Sequence, residues 1–241
     1  MLPEFISDML FLEFGKNKTK SMASQIAHIV YAKKYFDKME SGKADADFLD
    51  EERINYNYKI NRDEFILGTV FPDIRRIEPS IKRKDTHFKF EPLNLNFFGL
   101  TSFEAGWKFH LYCDMRREEI LNEEKFYAIE KTTELAGHPA KLLEDELLYD
   151  EYDNWEKLAS YFRDPPLVNL DIDIGRETFV LWYAILAKYI EEKVTTKTMS
   201  IFLSKSSKLA PDVNEIMAKV LELKKNKTVI RILEHVLDGI V

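Results

Sequence analysis

A chain of 241 residues, 45% hydrophobic and 32% charged, has a globular composition and is long enough to bury a substantial core without disulfides. Its net charge of -7 argues against general nucleic-acid or anionic-membrane binding, because phosphate backbones reward clustered Lys and Arg. The single cysteine, Cys113, excludes an internal disulfide and suits a reducing compartment, so a cytoplasmic location is expected.

Residues 1–14 are largely apolar, but Glu4, Asp8 and Glu13 interrupt them and no basic residue precedes them, which fits neither a secretory signal nor a membrane span. Gly15-Lys16-Asn17-Lys18-Thr19-Lys20 reads as a polar linker, so residues 1–21 are expected to form an N-terminal extension. No later stretch approaches the ~20 apolar residues of a membrane helix.

Residues 21–39 have helical periodicity, with Ile26, Ile29, Val30 and Phe36 on one apolar stripe and His28 off its centre beside Tyr31, Ala32 and Tyr35. Residues 45–58 are too polar to assign beyond a weak helix. Residues 62–70 read as a short helix that Pro72 ends, turning the chain outward before Asp73. Arg75-Arg76 and Lys82-Arg83-Lys84 follow; such clusters serve either as a solvated face or as a receiver of phosphate. His87 is expected on a connecting segment, and residues 91–100 on a loop anchored by Phe97 and Phe98.

Thr101 and Glu104 have capping-box spacing, which predicts a helix starting just ahead of Phe103. His110 and Asp114 then leave the same side of that helix one turn apart, with Cys113 pointing elsewhere into packing. The pair by itself reads either as a hydrogen-bonded histidine and its carboxylate or as half of a metal site. Residues 123–135, 139–149 and 153–162 read as further helices, with an exposed His138 at a break between the first two. Glu146 and Asp150 share a face with Leu143 and Leu147, so they are candidates for an additional metal or polar site; solvated surface acids are the other reading. Asp164-Pro165-Pro166 stops the pattern. Phe179, Trp182, Tyr183, Leu186 and Ile190 then recur at helical spacing, followed by one helix carrying Val213, Ile216, Val220 and Leu223 and another carrying Ile232, Leu233, Val236 and Ile240. His235, on the last, is read as structural. Almost every periodic segment fits 3.6 residues per turn, so the fold class is all-α, with a metal-bearing helical domain over residues 22–162 and a C-terminal helical portion over residues 163–241 packed on it.

The order Gly68-x3-Pro72-Asp73-Ile74, Thr86-His87-Phe88 and His110-x3-Asp114, with His28 in an early helix, resembles the zinc-dependent phospholipase C family over about residues 22–118. That family is related in fold to the fungal single-strand-specific nucleases. The resemblance implies a multi-helix bundle in which Asp73, His87, His110 and Asp114 hold a central zinc and His28 faces a neighbouring metal. It also implies departures. Met1-Leu2-Pro3 lies well ahead of His28, where family members bind metal through their amino terminus; Ile120 stands where a later histidine is expected; and Leu142 takes the histidine's place in Leu142-x3-Glu146. One or two ions are therefore expected, zinc first, with manganese or iron as alternatives.

No Gly-x4-Gly-Lys-Ser/Thr loop, Gly-x-Gly-x2-Gly turn, His-Glu-x2-His helix or Gly-x-Ser-x-Gly elbow is present. The expected function is a metal-dependent phosphoesterase acting on a small phosphoester or phospholipid headgroup through a metal-activated water. Asp73 would orient that water, and Arg75, Arg76 and Arg83 would receive the phosphate. The alternative is a non-catalytic helical binding or scaffold protein that retains a structural metal.

Overall fold

The computed structural model describes residues 24–41 and 60–241, and the expectations for residues 1–21 and 45–58 lie outside that range. Among the described residues the chain is all-α, with ten α-helices and no strand. They are α1 (Gln25–Glu40), α2 (Arg62–Val70), α3 (Arg83–His87), α4 (Ser102–Glu123), α5 (His138–Leu148), α6 (Trp155–Arg163), α7 (Arg176–Ile190), α8 (Thr196–Leu203), α9 (Val213–Leu223) and α10 (Lys227–Gly239). No described helix is long and apolar enough to cross a membrane.

α4 starts where its capping box dictates. The Thr101 hydroxyl accepts from the Glu104 backbone N–H at 3.2 Å, while the Glu104 carboxylate accepts from the Thr101 backbone N–H at 3.1 Å. α2 crosses α4 at two glycines. A Cβ added to Gly68 would lie 1.9 Å from the Phe103 carbonyl oxygen, and one added to Gly106 would lie 1.9 Å from the Phe65 carbonyl oxygen. Hydrogen is the only substituent that fits, so the two backbones touch.

That contact determines what closes the end of α2, whose last carbonyls have no partners within the helix. The Phe71 backbone N–H donates to the Gly68 carbonyl. The Tyr183 hydroxyl donates to Leu67 O at 2.9 Å and the Trp182 indole to Val70 O at 3.1 Å, both from α7. The Thr69 carbonyl goes to His110 on α4. One buried hydrophobic cluster runs from Ile26 in α1 to Ile240 just past α10, so the C-terminal helices share the core of the first part.

α5 is buried at seven consecutive positions from Pro139 to Asp145. Its polar residues are accordingly paired. Glu144 accepts from Arg117 Nε at 2.8 Å and from the Tyr31 hydroxyl, with the acid and the guanidinium fully buried. Asp145 accepts from the Ala27 backbone N–H at 3.0 Å, Ser24 Oγ at 2.7 Å and the Tyr189 hydroxyl at 2.8 Å. A carboxylate from α5 thus satisfies the N-terminus of α1, whose own Ser24 makes no capping bond.

Four expectations need correction. Residues 123–135 are not a helix: α4 ends at Glu123, and Lys125, Lys131, Leu135 and Ala136 adopt positive φ of 53°, 72°, 49° and 55°, which no right-handed helix tolerates. Phe126 is buried there as an anchor of two short 3-10 turns, and Thr132 Oγ1 ties the loop back to Phe126 O at 3.0 Å. Helix α8 lay undetected, although Thr195 and Thr198 form its capping box. Phe98 is exposed, leaving Phe97 as the loop's buried anchor. His138 is half-buried at the start of α5.

Gly68→Ala is expected to destabilise the fold by about 3 kcal/mol or more in urea denaturation, because the crossing helices must part to admit the methyl group. Arg117→Leu should cost about 3–5 kcal/mol by stranding the buried Glu144 charge, and the double change Arg117→Leu/Glu144→Leu should recover part of that loss.

Candidate metal centre

His28 comes from the first turns of α1, and His110 and Asp114 from successive turns of α4. His28 Nε2 lies 3.4 Å from Asp114 Oδ1, and His110 Nε2 lies 3.7 Å from Asp114 Oδ2. The two imidazoles stack with centroids 3.9 Å apart and planes 19° from parallel. One ligand atom from each of His28, His110 and Asp114 can be chosen so that all lie within 4.8 Å of one another, a grouping able to hold a metal ion.

The tautomer of His110 follows from its partner. The Thr69 carbonyl 2.8 Å from Nδ1 can only accept, so Nδ1 carries the hydrogen and Nε2 presents its lone pair toward Asp114. A backbone carbonyl on the far nitrogen is the outer support that metal-binding imidazoles use. His110 Nε2 and both nitrogens of His28 are buried without a hydrogen-bond partner. Buried polar atoms rarely go unanswered, and two imidazoles with a carboxylate are the donor set of zinc and its neighbours. The residues present therefore fit a divalent transition metal.

His87, expected on a connecting segment, is instead the last residue of the short helix α3 and stands at the edge of this group. Its Nε2 is 3.9 Å from Asp114 Oδ2, and its ring meets His110 edge-on at 5.5 Å. The Thr86 hydroxyl is 2.7 Å from its Nδ1, and the Thr86 carbonyl accepts from the Trp107 indole at 2.7 Å, which fixes α3 against α4. Burial drives His110 well below the ordinary imidazole value, with His28 adding to the effect. Burial also pulls His87 down to about 4 against the attraction of Asp114. Asp114 moves the other way from its own burial: His110, His28 and His87 outweigh that cost and hold it below the usual carboxylate range. Neutral imidazoles beside an ionised acid are the protonation states that metal binding requires.

The remaining candidates are dispersed. Asp73, expected as a ligand of the same ion, lies in a 3-10 turn (Phe71–Arg76) outside the three-residue group. It accepts from Gln25 Nε2 at 2.6 Å and pairs with Arg76 at 2.6 Å and Arg75 at 3.4 Å. Its burial would raise its pKa, but Arg76 and Arg75 reverse this and leave it ionised. His28, expected at a neighbouring position, sits directly against Asp114 instead. Glu146 and Asp150 do not turn inward; they pair with Lys224 and Lys193 toward the surface. Burial lowers the Arg83 pKa, with Asp114 and Asp73 opposing and Arg75 adding to the effect, so its guanidinium shares the field of this group. Cys113 is buried, and burial pushes its thiol up, consistent with packing alone.

Sequence reasoning missed Gln25, Lys141, Glu144 and Asp145. The last three are charged residues in an otherwise apolar stretch, Pro139-Ala140-Lys141-Leu142-Leu143-Glu144-Asp145, where a helix with too little polar surface to face water was the available signal.

His110 and His87 bind protons less readily in the folded chain than in the unfolded one, so the unfolded chain takes up protons first as the pH falls. Their contribution to stability is complete above about pH 6.5 and is lost as the pH drops from there toward about 4. Asp114, depressed in the fold, adds a further loss at more acid pH. Urea unfolding of the metal-stripped protein should show stability falling between about pH 7 and about pH 5; a flat profile would contradict the assigned protonation states.

Comparison of the chain with family models, curated proteins and solved structures gives no match, so the likeness to the zinc-dependent phospholipase C family rests on the motif residues themselves.

Proposed function

We propose that the protein is a metal-dependent phosphoesterase whose ion, zinc before manganese or iron, is held by His28, His110 and Asp114 with His87 alongside. The observation that supports this is the stacked pair of buried imidazoles whose Nε2 atoms face one carboxylate at 3.4 and 3.7 Å without a hydrogen bond to it. A divalent ion supplies Lewis acidity there, activating water and offsetting negative charge on a phosphoryl oxygen. The chain's own residues do the rest. Thr69 fixes the His110 ring, and Thr86 anchors His87. Asp114, whose side chain is 11% exposed, connects the buried imidazoles to the surface. Arg75, Arg76 and Arg83 favour an anionic substrate, because guanidinium groups match phosphate oxygens in geometry and charge. In this reading Asp73 holds the arginines in place rather than touching the substrate. The substrate class is a small phosphoester or phospholipid headgroup, and the reaction is hydrolysis in the cytoplasm.

A second reading is a helical binding or scaffold protein stapled by a structural metal. The complete burial of His28 and His110 favours it, since a staple needs no access.

Elemental analysis of the purified protein, followed by hydrolysis assays on phosphomonoesters and phosphodiesters with Zn, Mn or Fe added, tests the proposal. Hydrolysis that His110→Ala lowers about 100-fold or more, with its metal lost and its melting temperature little changed, is the expected result. A parent protein that hydrolyses none of these substrates defeats the enzyme reading. Collapse of the His110→Ala fold in that inactive background points to the staple.

A further inference from the structure

We propose that Lys141, Arg76 and the N-terminal turn of α5 form a binding site for a tetrahedral phosphate, either free or as the end group of a phosphomonoester. The site stands on cations rather than on the histidine cluster, so it does not depend on a metal being bound.

Lys141 is 4% exposed and has no hydrogen-bond or ion-pair partner among the described residues. The acids around it are committed elsewhere. Asp73 serves Gln25, Arg75 and Arg76; Asp114, which also attracts the ammonium, stands against His28, His87 and His110; Glu144 serves Arg117 and Tyr31; and Asp145, one turn along the same helix, serves Ser24, Ala27 and Tyr189. Arg76 is likewise incompletely used: it meets Asp73 through Nη2, while its buried Nε donates to nothing. Burial, aided by repulsion from Arg76 and Arg117 and opposed by Asp73 and Asp114, brings the Lys141 pKa down to about 7. Arg76, Arg75 and Lys141 act on His138 as well, which places these groups in one field.

The backbone contributes in the same direction. α5 runs for 11 residues from His138, its N-cap is Gly137 with no side-chain bond, and its first turn carries no acid. The His138 N–H donates to Leu135 O and Pro139 has no N–H, so the helix dipole and the N–H groups of Ala140 and Lys141 are what this end offers an anion. An ammonium buried among cations is costly, and an anion that it and Arg76 share would remove the cost. Phosphate suits the arrangement because its oxygens can accept from the ammonium, the guanidinium Nε and helix N–H groups together.

The test uses the full chain after metal removal and again after zinc loading. Inorganic phosphate and, separately, glycerol phosphate are titrated calorimetrically, and melting temperatures are recorded with and without millimolar phosphate. The expected result is saturable binding to the metal-stripped protein and a higher melting temperature with phosphate. Lys141→Met should keep the fold, lose the phosphate-dependent rise and bind at least about tenfold more weakly. Lys141→Arg should retain binding, and it carries the comparison if the methionine variant does not fold. Tighter binding of glycerol phosphate than of inorganic phosphate identifies a phosphomonoester as the ligand, and the reverse order identifies the free ion. The site is refuted if neither compound binds the metal-stripped wild type, or if Lys141→Met binds as the wild type does. Binding without any hydrolysis under zinc would separate this site from the phosphoesterase reading and leave only the former standing.

Discussion

The backbone contact between Gly68 and Gly106 is the constraint on which the rest of the molecule depends. Two helices that touch without side chains between them bring the last carbonyls of α2 within reach of groups on α4 and α7. Thr69 O meets His110 only because the axes come this close. From that bond follow the tautomer of His110, the direction of its Nε2 lone pair and its alignment over His28. The same approach lets Thr69 Oγ1, which bonds to Phe65 O within its own helix at 2.9 Å, lie 3.3 Å from Gly106 O, so the crossing carries a polar contact as well as packing.

Around this crossing the chain sorts its buried charges into groups of unequal balance. Glu144 with Arg117 is matched, and Asp145 is met by neutral donors. Burial, opposed by those donors and aided by neighbouring Glu144, raises the Asp145 pKa to about 6. Asp114 is surrounded by imidazoles, and Asp73 by arginines. Acid with histidine selects a cation, whereas surplus cation without acid selects an anion. Asp73 interacts electrostatically with both His110 and Lys141, so the two groups share one carboxylate's field.

Much of the fold was legible because most helices carry local signals. The Thr101-Glu104 box, Pro72 and the diproline at 165–166 bound their elements where expected, and α7, α9 and α10 show apolar spacing at 3.6 residues. The failures have a common cause. Residues 123–135 contain Phe126, Ile129 and Leu135 at spacings that imitate a stripe, while left-handed turns at Lys125, Lys131 and the Leu135-Ala136 pair depend on tertiary contacts that no window of sequence displays. The site was half legible. His110 and Asp114 declare themselves by helical spacing, and sequence order singled out His28. That Asp73 turns to the arginines, and that His28 joins Asp114 directly, are outcomes of how α1 and the turn after α2 settle on α4. Lys141 was invisible for the opposite reason, since a lysine in a helix is ordinarily a surface residue.

Glu144 and Asp145 are adjacent in α5 yet take different partners, the first Arg117 on α4 and Tyr31 on α1, the second the N-terminus of α1 and Tyr189 on α7. A purely aliphatic helix in the same slot could slip by a residue and repack at modest cost, but here a one-residue slide would hand each acid the other's partners and strand a guanidinium. The two side chains therefore act as a vernier. They set the axial position of α5 to a single residue, and with it the depth at which Lys141 and the opening turn of that helix stand.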